Sequence, residues 1–384
     1  MPHEDNLENS IAKVRQLVLD AITRQLVADV PVCTFLSGGL DSSAISAIAA
    51  QEFAKAGKGP LHTYSIDYAG NDVHFKANSF QPNSDAPWAR KMSDFLGTSH
   101  HGIEISTQAL ADALKDAVIA NDRPGMADID SSLYLFCKEV KKDATVALSG
   151  ECADEIFGGY PWFHRQECLT AQTFPWALAN QDRVDLLSDE IRDWIKPQEY
   201  LQQKYIEAIE EVPRLAGETG LDAKIREIFY LNITRFMTTL LDRKDRMSMA
   251  TGLEVRVPFC DHRLVEYVWN IPWSMKNIDN REKGILRRAL QGILPEDIIS
   301  RKKSPYPKTH NPEYLKTVRK TLLEVLDGSP LHHLLDKKTL QSILDSSDEF
   351  GFRPWFGQLM NKAQLYAYLY QVDTWFREYK ISIS

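Results

Sequence analysis

The feature that most constrains this chain is an alternation confined to its first 150 residues. Short apolar runs at 30–36, 61–67, 100–106 and 144–150 are separated by stretches with helical spacing at 44–50, 84–97, 107–122 and 131–142. A helix precedes them, because Ile11, Val14, Leu17, Val18, Ala21, Ile22 and Leu26 recur at three- and four-residue steps, with Asn9 and Ser10 placed to cap it. Strands that alternate with helices at this spacing predict an α/β fold, a doubly wound parallel sheet covered on both faces. From about residue 165 the pattern becomes helical, at 184–195, 199–212, 223–241 and 362–380. No repeat and no long linker divides the two parts, so the helical half is expected to pack on the sheet.

Ligands of such sheets bind beyond the carboxyl ends of the strands. Two polar turns leave strands there, Leu36-Ser37-Gly38-Gly39 and Leu148-Ser149-Gly150-Glu151. In the first, Gly38 and Gly39 let backbone N–H groups approach an anion at the start of a helix, and Ser37, Ser42 and Ser43 add hydroxyls. There is no lysine at the helix start, so this is not a Walker loop. Asp41 within it would repel a phosphate. A divalent cation removes the conflict, since Mg²⁺ is typically held by one or two carboxylates and phosphate oxygens. Asp41 is therefore expected to be a ligand of a metal–nucleotide complex. The second turn carries Glu151, Asp154 and Glu155, which could simply complement a helix dipole. Beside the first loop, they read as a further metal ligand and an acid/base.

Composition narrows the partners. The 45 basic and 53 acidic residues leave a net charge of −8, which argues against a broad nucleic-acid or membrane surface. No apolar run approaches the ~18–20 residues of a membrane span, and the polar N-terminus is unlike a signal peptide. A cytoplasmic protein is expected. Five scattered cysteines without a CxxC pair predict reduced thiols rather than a disulfide framework or a zinc site.

The motifs taken together resemble a family. "FLSGGLDSS" (35–43) is similar to the loop of PP-loop ATP pyrophosphatases. "ALSGECADEIFGGYPWF" (147–163), "RKDRMSMATGLEVRVPFCDHRL" (243–264), "KGILRRAL" (283–290) and "ISRKKSPYP" (299–307) resemble the synthetase domain of glutamine-hydrolysing asparagine synthetases. The resemblance covers residues 6–380, with 6–165 as the nucleotide-binding α/β core and 166–380 as a mainly helical part. It implies adenylation of the aspartate side-chain carboxylate by ATP, release of pyrophosphate, and displacement of AMP by ammonia.

By motif position, Leu36 and Ile66 would border adenine. Ser37, Gly38, Gly39, Asp41, Ser42 and Ser43 would hold the phosphates, with Ser149 and Gly150 near the nucleotide. Asp41 and Asp154 would bind Mg²⁺, Glu151 would serve as acid/base, and Lys303 would contact phosphate and developing oxyanion charge. Arg301 and Lys302 beside it read as a solvated basic loop. Arg243, Asp245, Arg246, Glu254 and Arg256 are expected to form buried ion pairs. The other reading of that stretch is substrate contact, with Asp245 or Glu155 on an α-ammonium and an arginine on a carboxylate.

Two departures matter. The chain reaches its first synthetase helix within about ten residues and begins Met1-Pro2-His3, without the cysteine nucleophile of a glutaminase domain. The expectation is no glutaminase activity from this chain, with ammonia free or delivered by a separate glutaminase domain or subunit; a homodimer is a candidate assembly. The Thr-Thr-Ile-Arg string of some relatives is replaced here by Gly125-Met126-Ala127-Asp128. Aspartate specificity is therefore not carried over through that arginine. The alternatives are amidation of another carboxylate, intramolecular closure as in β-lactam synthetases or peptide cyclases, and a non-catalytic nucleotide-binding subunit.

Overall fold

A computed structural model describes residues 2–77, 81–346 and 361–383. Five parallel strands form one sheet in the order β3-β2-β1-β4-β5: β1 (Val32–Phe35), β2 (His62–Tyr68), β3 (Ser99–Ile105), β4 (Val146–Leu148) and β5 (Glu254–Arg256). The first four coincide with the predicted runs, β2 and β3 each reaching one residue beyond them. The fifth was not foreseen. It is only three residues long, carries two charges, and comes from the otherwise helical half.

The chain winds outward from β1 through β2 to β3, then returns to place β4 on the other side of β1. This reversal creates a crevice above β1 and β4, the switch point at which open α/β sheets bind ligands. Register puts Thr34 beside Leu148, so the two polar turns emerge side by side.

Burial explains the local choices. In β1, Cys33, Thr34 and Phe35 are all buried, as expected of a strand covered on both faces. The following helix, Leu40–Lys55, buries Leu40 and every residue from Ser43 to Ala49, and only small side chains among them permit that close packing. The Leu7–Gln25 helix instead buries one stripe, Val14, Val18, Ala21 and Ile22, and is capped by the Asn6 side chain accepting from Asn9 N–H.

The helical half packs onto this frame. Ile285, Leu286 and Ala289 join Val14, Ile45 and Leu148 in one core cluster. Residues 220–249 run as consecutive helices interrupted by a π turn at Asn232–Phe236. Asn232, fully buried, anchors the turn: its Nδ2 donates to the Ile228 carbonyl and its Oδ1 accepts from Trp162 Nε1. The bulge brings Phe236 to the crevice, in keeping with the frequent placement of π-bulges at functional sites.

Two expectations are corrected. Cys152 and Cys260, 108 residues apart, are joined by a disulfide, while Cys33, Cys137 and Cys168 are free and buried. Sequence spacing carried no sign of the pair, because only the approach of β5 to β4 brings the two segments together. Arg243, Asp245, Arg246, Glu254 and Arg256 do not form the expected buried ion pairs either. Arg246 meets Asp122 and Asp242 at the surface, Arg256 meets its neighbour Glu254, and Asp245 is exposed. Arg243 is buried, and its Nε has no hydrogen-bond partner. No helix of the described residues is long and apolar enough to cross a membrane.

Candidate active site

A cavity of about 320 Å³ lies over the crevice between β1 and β4. Its floor is the first polar turn. Gly38 sits at φ 70°, and a Cβ there would come within 2.4 Å of the Trp88 backbone, so only glycine is accommodated. The hydroxyls close on one another: Ser37 Oγ and Ser42 Oγ lie 3.0 Å apart, Ser37 N–H donates to Ser42 Oγ, and Gly39 N–H donates to Ser37 Oγ. Leu36, Ser37, Gly39, Asp41, Ser42 and Ile66 line the cavity. Gly38 and Ser43 do not; Ser43 is fully buried in the core.

The second turn is pressed against the first. A Cβ on Gly150 would lie 3.1 Å from Asp41 Cβ, and this closeness sets the electrostatics. Lys283, itself 3% exposed, places its ammonium between Asp41 Oδ2 and Asp154 Oδ1, the latter at 2.7 Å. Lys303 Nζ reaches Asp154 Oδ2 at 3.0 Å and lies over the Tyr160 ring. Burial and the neighbouring Asp154 push Asp41 up, against the pull of Lys283. Burial acts to raise Asp154 as well, but Lys283 and Lys303 outweigh it and hold it at about 2.

Glu151 is held at both oxygens. Lys244 Nζ lies 2.7 Å from Oε1, and the Ser149 hydroxyl donates to Oε2. Burial alone would raise this carboxyl, yet Lys244 and Ser149 bring it below the ordinary glutamate range. Glu155, 1% exposed, accepts from Tyr160 Oη at 2.6 Å. Here burial and Asp154 win, lifting it to about 7. Two glutamates four residues apart are thus set in opposite directions by what surrounds them.

The residues fit a divalent ion. Asp41 Oδ1 is buried without a hydrogen-bond partner, and a cation already sits between Asp41 and Asp154 in the form of the Lys283 ammonium. No group of three or more His, Cys, Asp or Glu capable of holding a metal occurs among the described residues. An ion here would therefore take two carboxylates and complete its shell with phosphate and water, as Mg²⁺ commonly does.

The basic loop at 301–307 departs from expectation. Arg301 is not solvated: it is 8% exposed, pairs with Asp85 at 2.6 Å, donates to the Ser37 carbonyl at 3.1 Å and lies over the Trp88 ring. Lys302 is exposed. Arg287 fixes the base of the loop, donating to the Ile299 and Arg301 carbonyls and pairing with Glu282 at 2.7 Å. Lys303 therefore enters the cavity from a braced segment.

The chain matches the family model described as asparagine synthase over residues 13–377. It belongs to the asparagine synthase family. Its sequence is 59% identical to asparagine synthetase [glutamine-hydrolyzing] 3 of Bacillus subtilis, over 99% of this chain and 62% of that protein. It is 29% identical to asparagine synthetase [glutamine-hydrolyzing] 1 of the same organism, over 80% and 51%. Amidase chyE of Penicillium rubens is 25% identical, over 92% and 58%. The chain thus spans about half to six tenths of the length of these relatives. The parallel sheet with flanking helices is the PP-loop α/β fold of this family.

Of the residues singled out in the sequence of this asparagine synthase family member, Asp41, Glu151, Asp154, Glu155 and Lys303 meet at one cavity; Asp245 does not. Lys244, Lys283 and Arg301 were missed as contributors. Lys283 opens the "KGILRRAL" string, a signal that was visible without a role. Lys244 and Arg301 each stand in a run of charges where nothing marks which side chain turns inward.

Proposed function

We propose that this chain is the ATP-dependent amide-forming part of an asparagine synthetase, converting aspartate to asparagine with release of AMP and pyrophosphate. The observation that carries the reading is the convergence of Asp41, Glu151, Asp154 and Lys303 on one cavity beside a serine–glycine loop. The 59% identity to a named asparagine synthetase supports it.

Leu36 and Ile66 offer apolar walls for adenine, and the 37–42 loop presents N–H groups and the helix N-terminus to the phosphates. Asp41 and Asp154 would hold Mg²⁺, which when bound neutralises charge on the departing pyrophosphate. The acceptor carboxylate attacks the α-phosphate, and an acyl–adenylate forms as the α–β bond breaks. Lys303, fixed near Asp154, is placed to stabilise negative charge on the phosphates and later on the carbonyl oxygen. Ammonia then bonds to the acyl carbon. Glu151 takes a proton from the added nitrogen, and the carbonyl re-forms as AMP departs.

Glu155 is the candidate for the substrate ammonium, since it is a carboxyl on the cavity wall that no cation pairs. Asp245, exposed on the outer side of its helix, is not placed for that task. The ammonia source, separate glutaminase unit or free ammonium, is part of the same proposal. A screen of carboxylates with Mg–ATP and ammonium, read as pyrophosphate and AMP, tests it. Release dependent on aspartate is expected. Silence with aspartate and turnover with another acid would replace the acceptor, and silence with all of them would reduce the site to a nucleotide binder.

A further inference from the structure

The Met237–Met249 helix turns Arg243, Lys244, Met247 and Ser248 inward. Lys244 is 4% exposed, lies over the Phe35 ring of β1 at 5.3 Å, and ends 2.7 Å from Glu151 Oε1. An ammonium carried this far from water persists only where a partner compensates it. That partner is the carboxylate read above as the base for ammonia.

We propose that Lys244 is a positioning residue for amide formation, holding Glu151 as an anion in one orientation so that it can take the proton from the attacking nitrogen. This rests on the reading of Glu151 as the base and adds the group that makes it one. Each carboxylate oxygen carries two lone pairs. Ser149 occupies one at Oε2 and Lys244 one at Oε1, which leaves one at each oxygen free to accept. Without Lys244 the carboxyl would sit in a buried site with a hydroxyl as its remaining close partner, and burial would favour its neutral, useless form.

The groups facing Glu151 from other elements do not substitute. Cys137, on the Asp128–Val140 helix, is a thiol pushed up to about 12 by its burial, and Tyr306, on the 301–307 loop, is a phenol that burial keeps neutral. Arg243, on the same helix as Lys244, adds a weaker attraction and is directed instead toward Met126 and the Tyr306 ring.

After the transfer Glu151 is a neutral acid beside an ammonium. That neighbour favours release of the proton to water and return to the ionised state.

The test compares K244M and K244R with the wild type. It measures amide formation at fixed free ammonia across pH, together with isotope exchange between pyrophosphate and ATP. K244M is expected to lose about 10²-fold in kcat, the scale of a displaced reacting group. Its acidic limb should move to higher pH, because the lost charge had been holding Glu151 ionised. Pyrophosphate exchange, which precedes ammonia attack, should persist. K244R should keep the limb in place at reduced kcat.

Unchanged kcat and an unmoved limb in folded, Mg–ATP-binding K244M would overturn the proposal. If K244M does not fold, K244R is read alone, and a limb that moves although the charge is kept overturns it. Full amide synthesis by E151Q would instead remove the base reading, which separates the two failures.

Discussion

The two strand exits at the cavity solve the same problem in different ways. At the end of β1, the hydroxyls and N–H groups of Ser37, Gly39 and Ser42 satisfy one another within six residues, serine to serine and N–H to hydroxyl, while Asp41 is held from afar by Lys283. At the end of β4, the carboxylates of residues 151–155 are held mainly by side chains far along the chain, Lys244, Lys283 and Lys303. An anion cradle built from N–H groups and hydroxyls can be local, because it needs only a turn and a helix start. A set of reactive carboxylates cannot. Their charges must be divided among cations that the tertiary fold delivers from outside.

That contrast predicts large losses at the second exit and small ones at the serine hydroxyls of the first. Glu151→Gln should reduce amide formation by about 10²–10⁴-fold, the range for removing a positioned base, while pyrophosphate exchange continues; loss of both steps together would place Glu151 in adenylation instead. Lys303→Ala should lower kcat about 10²–10³-fold, as when one preorganised charge donor is removed, with the melting temperature nearly unchanged. A variant turning over at the wild-type rate would leave the lysine as a loop cation only.

The Cys152–Cys260 disulfide tethers the β4 exit to the segment after β5. Its reduction should cost about 2–4 kcal/mol, seen as a lower melting midpoint in dithiothreitol. Cys260→Ser, already without the link, should not respond to the reductant.

A pH experiment sharpens the same comparison. Glu155 is raised to about 7 by burial and Asp154, so it is neutral below that pH and anionic above it. If it holds the acceptor ammonium, KM for the acceptor should rise as pH falls through about 7, approaching tenfold per pH unit. A flat profile would assign the ammonium to another group. The smallest effect belongs to the local exit. Ser42→Ala removes hydroxyl contacts whose net worth is about 0.5–1.5 kcal/mol each, so nucleotide affinity should fall about tenfold or less.

How far the site was legible follows from the same physics. Ser37, Gly38, Gly39, Asp41 and Ser42 could be read because a serine–glycine turn between strand and helix is a contiguous pattern, the helix at 7–25 because its burial repeats along the chain, and the helix at 40–55 because a run rich in small residues follows that turn. Glu151 and Asp154 were visible as carboxylates at a strand end. Their opposite companion, a Glu155 pushed up while Glu151 is held down, was not, since neither burial nor the facing cations are written in neighbouring residues. Arg301 looked solvated and is buried. Asp245 looked available and faces water. β5 was hidden by its brevity, and with it the disulfide.

The sequence by itself determined the alternating strands and helices, the serine–glycine turn and the two acidic strand ends, because each depends on groups within a few residues of one another. The tertiary structure decided which lysine meets which carboxylate, which cysteines pair and which arginine is buried. Those outcomes depend on charges and thiols separated by up to 242 residues. Only the packing of the helical half onto the sheet brings them within bonding distance and out of water, where electrostatic attraction is strong enough to set their states.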